Sequence, residues 1–506
     1  MTVFCPPSSW PLFLGQQIWN QESLLLRNKI APSQIFSDYW IASGFLILLG
    51  LLGGSGRDDV QSLIFIRPLA ILLAAYALWT LPAESWRHHR RALFAMGGII
   101  LVTLAYLVPL PPSLWQAAPG HSLIAAIDEA AGFGDIWRSY SIAPYRTVNA
   151  LFSLAIPAAT LLMMLRLKNE ERWQLLIPIV VVGAISVMLA LLQAAAPAAK
   201  LLWFYRFTND GLPVGLFANR NHAAVFHACM LPMLAVAVQL PTQNRTWSKI
   251  RIAVAVFLGV ATLIAVLASG SRAGLIAALL AIASFPFLLY KSAFKKAAPT
   301  GRTKHKARER KFGKLFDLLG QKWVVPAATI ALLTSIGAAT LMFSDSDGGT
   351  ARRLSETSET EQRWTIWQES LEIAREFAPL GSGPGTFVEA YKIKEPINTL
   401  TPNYINHAHN DLVELLLTMG IIGAIFIVIA VFGLMLAGWR LRDRTALAQP
   451  SWQQNQARMA WTVLAILGAA SIVDYPLRVP SLTALAVVMA CWLGFAGARK
   501  RRPAQG

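Results

Sequence analysis

Charge is scarce in this chain. Asp, Glu, Lys and Arg make up only 14% of the 506 residues, while 55% are hydrophobic. With a mean hydropathy of +0.48, the composition excludes an ordinary soluble globule and suits a bundle of membrane helices. Cysteine is also nearly missing. Cys5, Cys229 and Cys491 show neither metal-binding spacing nor a disulfide framework. The beginning of the chain lacks the charged region and unbroken apolar core of a secretory signal. Its first basic residue is Arg27, and the stretch from Trp10 to Leu26 is interrupted by Gln16, Gln17, Asn20 and Glu22. The chain is therefore expected to be anchored through its own spans. A Walker A sequence and a nucleophile elbow are both lacking, which leaves ATP hydrolysis and acyl-serine chemistry without support. Acidic residues are outnumbered, 27 against 45 Lys and Arg, for a net charge of +18. The basic residues cluster between long apolar runs, where membrane topology accounts for them and nucleic acid is not an expected partner.

What is present is a succession of apolar runs near the length that crosses hydrocarbon. They lie at 37–54, 62–81, 92–111, 147–166, 174–195, 222–240, 250–268, 273–290, 323–343, 410–437, 457–473 and 479–496, which predicts an all-α polytopic protein of about 12 transmembrane helices. Arg87, Arg90, Arg91, Arg166, Lys168, Arg172, Arg245, Lys249, Arg251, Arg440, Arg442, Arg444 and the run 499–502 then share one side. The positive-inside rule makes that side cytoplasmic and places both termini there. Arg67 is the clearest charge left deep within a span.

Two loops stand out. Residues 291–322 form a basic tract, expected to be a cytoplasmic topology determinant with the charge to touch anionic headgroups. Residues 344–408 form the large late periplasmic loop. Trp364, Trp367, Leu371, Ala374 and Ala378 recur there at helical spacing, with Ser358 and Glu361 as a capping box and Pro379 as a stop. An amphipathic helix is expected across the outer face, either as a substrate lid or as packing alone.

Polar residues gather at the outer ends of the predicted spans. Arg206, Arg220, Arg272 and Arg363 are retained on the outer side against the topology rule. Arg272 lies in Ser269-Gly-Ser-Arg-Ala-Gly274 at a helix start, which suits phosphate and equally suits an interfacial anchor. Arg220 belongs to Phe217-Ala-Asn-Arg-Asn-His222, in which Asn219 and Asn221 must face protein or water and Asn219 can cap the helix. The densest cluster is Asn406-His-Ala-His-Asn-Asp411, followed by Glu414. A histidine there can serve as general base toward a hydroxyl. Two further readings stay open: His407, His409 and Asp411 as metal ligands, and Asn410 or Asp411 as a helix cap. The turn Gly381-Ser-Gly-Pro-Gly385 can bring N–H groups to an anion.

The order of these segments resembles the O-antigen ligase and polymerase superfamily. The segments are Phe217 to His222, Ser269 to Gly274, Arg363-Trp364 with Trp367, Gly381 to Phe387, and His409-Asn-Asp-Leu412 with Gly420 and Gly423. Asp474-Tyr-Pro-Leu-Arg478 follows late in the chain. The likeness is specific over about 217–430. It divides the chain into N-terminal transmembrane helices (1–216), a ligase-like core (217–437) that includes loop 344–408, and C-terminal helices (438–506). It implies a C-type glycosyltransferase architecture that transfers an undecaprenyl-diphosphate-linked glycan to an acceptor hydroxyl at the periplasmic face of a bacterial inner membrane. The implied reaction is inverting and needs neither metal nor cofactor. By this resemblance His409 is the base, with His407 as its neighbour. Arg272 is the first diphosphate ligand, and Arg206, Arg220 and Arg363 are further candidates. Asn219, Asn221 and Asn410 fall in the matching substrate-binding segments. The acceptor implied is lipid A core for a ligase, another glycan for a polymerase, or a protein hydroxyl for an O-oligosaccharyltransferase. A glycolipid flippase is the non-enzymatic alternative, and it would call for related halves and ionisable groups deep in the spans.

Overall fold

The computed structural model describes residues 37–240, 242, 244–289, 358–395, 404–442 and 451–498. The expected span 323–343 and the basic tract 291–322 lie outside them. The described chain is helical apart from one antiparallel pair of two-residue strands. Its elements are α1 (Asp38–Leu52), α2 (Leu63–Trp79), α3 (Ala83–Ala105), β1 (Pro109–Leu110), α4 (Pro112–Trp115), α5 (Ser122–Ala130), β2 (Arg138–Ser139), α6 (Pro144–Ser153) and α7 (Ala155–Arg166). They continue through α8 (Asn169–Gln174), α9 (Leu176–Ala195), α10 (Arg220–Ala237), α11 (Arg245–Ala268), α12 (Arg272–Ala283), α13 (Phe285–Leu289), α14 (Ser358–Glu376), α15 (Phe387–Lys392), α16 (Asp411–Arg442), α17 (Ser451–Ala470) and α18 (Pro480–Ala498).

By length and composition, four described helical stretches can cross a membrane: Pro144–Arg166, Asn169–Ala195, Thr246–Ala268 and Asp411–Arg442. Shorter apolar helices lie at Asp38–Leu52, Leu63–Trp79, Arg272–Leu288 and Pro480–Phe495. The protein is thus a multi-pass, all-α membrane protein. The bundle is built around α10, where sixteen residues are buried. A helix that is apolar on every side must be surrounded, and α9, α11, α12 and α17 pack on it. Small residues allow the closest approach: a Cβ placed on Gly274 of α12 would come within 2.3 Å of the Ala224 methyl on α10. Arg67, charged inside a span, is matched within the bundle, where it donates to Asn149 Oδ1 at 2.6 Å and Ser153 Oγ at 2.8 Å.

Contacts between loops sort to two ends, as alternating spans require. At one end Ser481 N donates to Gly53 O and Ala218 N to Gly54 O, both at 3.0 Å, and Arg146 meets Asp58 at 2.6 Å. At the other end Arg166 meets Asp38 at 2.9 Å, and the Trp492 indole donates to Arg172 O at 2.9 Å. The first set joins loops predicted to be outside, the second loops predicted to be inside.

The loop helix expected at 361–378 forms as α14, but its buried face differs from the one expected. Ile366, Ser370, Ile373 and Phe377 are buried, whereas Trp364 and Leu371 are exposed. The spacing of aromatic residues was therefore a poor guide to the packed stripe, because the β-branched and Phe positions on an adjoining face fill the core. Helix α16 is broken at Gly420 (φ 52°, ψ −130°). There Ile421 N donates to Pro379 O at 2.8 Å, and a Cβ on Gly420 would lie 2.0 Å from that oxygen. The segment 411–419 thus ends as a short helix, and its terminal carbonyls need donors. Ser382 N supplies one to Leu417 O at 3.0 Å and Gly383 N another to Thr418 O at 2.9 Å. This corrects the expectation for the Gly381–Gly385 turn: these two N–H groups close a helix end and do not face an anion.

Candidate active site

Asp474 is the hub of the end where Gly53, Ala218 and Ser481 meet. It lies between α17 and α18 and is 1% exposed, so its charge must be matched locally. Three segments at this end supply partners. Asn221 Nδ2, in the first turn of α10, donates to Asp474 Oδ2 at 2.9 Å. The His222 Nε2 and His409 Nδ1 nitrogens approach Oδ1 to 3.5 and 3.4 Å. Arg363 of α14 places Nη2 3.9 Å from Oδ2 and donates from Nη1 to Val473 O at 2.6 Å. Burial pushes the Asp474 carboxyl up, but the His222 and then the His409 imidazoles outweigh it and hold the carboxyl well below its ordinary value.

The support continues behind Asn221. Ser271 Oγ donates to Asn221 Oδ1 at 2.7 Å while accepting from Gly274 N at 3.0 Å, so it caps α12 and fixes the amide together. Asn219 caps α10, its side chain accepting from Asn221 N at 2.7 Å. Arg220 and Arg272 are each the first residue of a helix, next in sequence to Asn221 and Ser271. The candidate phosphate ligands therefore start from the locus of the hub. The segment before α10 dips into the bundle, and Gln193 of α9 satisfies its backbone. Gln193 Oε1 accepts from Val214 N (2.8 Å) and Gly215 N (2.7 Å), and Nε2 donates to Leu202 O (2.8 Å).

The two candidate histidines have different surroundings. In an extended segment residues 407 and 409 should point the same way. Instead His409 has φ +50°, a left-handed conformation that histidine adopts more readily than most residues and that is common at functional sites. It turns toward Asp474 with 24% of its side chain exposed. The His407 Nδ1 nitrogen lies 3.0 Å from Glu414 Oε1. Glu414 is also approached by Arg478 Nη1 at 3.2 Å, and Arg478 Nε donates to Asp411 Oδ1 at 3.2 Å. Tyr475 packs between His222, His407 and His409, with ring centroids 4.7, 4.1 and 5.1 Å away. Asn410 takes the capping role, accepting from Leu412 N and Val413 N at 3.0 and 3.1 Å. The metal alternative for His407, His409 and Asp411 is not met by this geometry, since the three are directed to Glu414, Asp474 and Arg478. Among the described residues no group of three or more His, Cys, Asp or Glu is placed to hold a metal ion.

Arg206 lies apart from the hub. It is exposed, with its guanidinium 5.3 Å from the Phe207 ring centroid. Nearby, Arg57 stacks on Phe207 at 4.4 Å and donates to the Tyr404 hydroxyl at 3.2 Å. Sequence reasoning noted the segment 474–478 but did not place Asp474, Tyr475 or Arg478 in the site. The usable signal was an isolated acid, Asp474, between two apolar runs.

Residues 254–428 match the family model described as O-antigen ligase. Over this stretch the chain is similar to the O-antigen ligase superfamily. The matched stretch contains Arg272, Arg363, His407 and His409, whereas Asp474 and the Arg220 segment are brought to it from outside by the fold. No curated protein matches the chain. This similarity supports an enzyme of that general class.

Proposed function

We infer that the chain transfers a glycan from an undecaprenyl-diphosphate carrier to an acceptor hydroxyl at the periplasmic face of a bacterial inner membrane. Both termini are cytoplasmic in this reading, and the 1–216, 217–437 and 438–506 divisions serve as entry helices, core and closing helices. The observation that carries it is the His409–Asp474 pair at the meeting point of the outer segments, beside helix starts that bear Arg220 and Arg272. His409 Nδ1 is turned to the carboxylate, which leaves Nε2 to take the proton of the acceptor hydroxyl. The 3.4 Å approach exceeds a formed charge-assisted bond and is of the kind that tightens around substrate.

The hydroxyl oxygen attacks the anomeric carbon as the bond to the diphosphate oxygen breaks, so the configuration inverts. Undecaprenyl diphosphate leaves with the electron pair. Arg272, Arg220 and Arg363 stabilise the charge that develops on it, with Arg206 in a peripheral role. Asn219 and Asn410 are spent on capping, and Asn221 orients Asp474, so these amides act on substrate only through the hub. The step requires neither a metal nor a cofactor.

The test is glycan transfer from purified undecaprenyl-diphosphate-linked glycan in the presence of EDTA, with lipid A core, glycan and peptide acceptors. Wild type is expected to release undecaprenyl diphosphate with one acceptor class, which separates ligase from polymerase and protein O-oligosaccharyltransferase. His409→Ala and Arg272→Ala are expected to lose transfer. Full activity of folded His409→Ala would refute the base assignment. Movement of glycolipid across proteoliposomes without transfer would establish a flippase instead.

A further inference from the structure

Between α3 and α6 the chain leaves the bundle at its outer end and builds a small subdomain, β1–α4–α5–β2. Its helix α5 is inside out. A helix in water turns its apolar stripe to the core and its charges to solvent. Here Leu123 and Ile127 are 48% and 56% exposed, and with the exposed Ala126 and Ala130 they form one i, i+3, i+4, i+7 stripe. The single buried residue of α5 is Asp128, which pairs with Arg138 of β2. Beyond the helix Phe133 and Trp137 are also exposed, at 54% and 64%. One charge, Asp128, has been drawn inward while Glu129 stays exposed, and apolar surface is turned out.

The covalent tether fixes where this surface lies. Leu110 pairs with Arg138 and is only five residues past the end of α3, a reach of at most about 18 Å. The helices on either side of the subdomain also present apolar residues outward: Leu101 and Leu104 of α3, Val108 beyond it, and Tyr145 and Phe152 of α6 are all exposed. From residue 92 to residue 137 the sequence contains no Lys or Arg, so attraction to anionic headgroups is not what holds it.

We propose that this subdomain is a membrane-docked platform, with the stripe of α5 and the Phe133 and Trp137 rings inserted among outer-leaflet lipid at the acyl boundary. The junctions of the platform with α3 and α6 bear on the loop that carries α14. Tyr106 donates its hydroxyl proton to Leu380 O at 2.5 Å, Ile142 N donates to Ser382 O at 3.1 Å, and Thr147 Oγ1 to Pro384 O at 2.8 Å. Docking thereby sets the height of the Pro379–Gly385 segment over the bilayer, and it does so whatever reaction the site performs.

The experiment places a nitroxide label at Leu123→Cys, Ile127→Cys and Trp137→Cys, with Glu129→Cys as the polar-edge control, in the full chain carrying Cys5→Ser. The protein is reconstituted in phosphatidylethanolamine–phosphatidylglycerol vesicles. Collisions with oxygen, which partitions into lipid, are compared with collisions with a water-soluble nickel chelate. At 123, 127 and 137 oxygen access is expected to rise above that at 129 and nickel access to fall below it, with no change at high salt. Nickel access equal to the control would overturn the proposal, as would low access to both reagents, which marks coverage by protein. Labels at Ala126 and Ala130 read the same stripe if any of the larger side chains is needed for folding.

Discussion

Replacing Asp474 by Asn keeps the side chain's shape and removes its charge. The carboxylate accepts from Asn221 at 2.9 Å and faces two imidazoles at 3.4 and 3.5 Å. An amide offers one acceptor oxygen, so it must turn its NH2 group either to the Asn221 donor or to the two rings. In the first case a donor meets a donor. In the second His409 loses the acceptor that holds its Nδ1 proton, and with it the tautomer that leaves Nε2 open. The imidazolium formed during proton transfer also loses its counter-charge. A hydrogen bond to a charged group is worth about 1.5–3 kcal/mol, which is about 10- to 150-fold in rate. Loss of the base altogether sets a ceiling of about 10²–10⁴-fold. Turnover of Asp474→Asn in the transfer assay with purified carrier-linked glycan is therefore expected to fall by about 10²-fold or somewhat more. The Asp474→Asn/His409→Ala double variant should be no slower than His409→Ala alone, because the two residues act as one unit. Wild-type turnover by a folded Asp474→Asn protein would refute the pairing, and multiplicative losses in the double variant would show that Asp474 acts independently of His409.

Gln193→Leu leaves the buried Val214 and Gly215 N–H groups without their acceptor. At about 1–3 kcal/mol for each unsatisfied group, the unfolding temperature in detergent should drop clearly, and an unchanged value would remove Gln193 as the staple of the dipping segment. Gly420→Ala combines a backbone penalty of about 1–3 kcal/mol for a conformation that glycine alone adopts readily with a methyl 2.0 Å from Pro379 O. It should loosen the Pro379–Gly385 turn, seen as faster proteolysis near residue 380, and wild-type resistance would contradict the stitched geometry. Folding depresses the Asp474 carboxyl, so the stability it adds is present above about pH 4, the unfolded value, and is lost as pH falls through the folded one. The difference in unfolding temperature between wild type and Asp474→Asn should shrink below about pH 4, and a constant difference would show that the charge is not what stabilises the hub.

The sequence by itself determined the membrane class, the helical runs and the segments rich in chemistry, because each rests on local quantities: apolar length, spacing along a helix, and Arg or His beside a span end. The placement of His409 and Arg272 beside helix starts and the helix at 358–376 were legible in this way. The hub was decided by tertiary structure. Asp474 and His409 are 65 residues apart, and Asn221 is 253 residues from Asp474, so no local pattern links them. Which of His407 and His409 faces Asp474 turns on one backbone angle, φ +50° at His409, which rotates the ring out of the alternation an extended segment predicts. The Gly381–Gly385 turn shows the same division. Its glycines announce an unusual backbone, but whether its N–H groups meet an anion or the end of a helix depends on the break at Gly420, about forty residues later in the chain. The outward stripe of α5 is likewise plain as periodicity, but periodicity does not say which side of a helix meets the core. Only the burial of Asp128 against Arg138 fixes that the apolar side faces out, because a buried charge must be paired whatever the rest of the helix prefers.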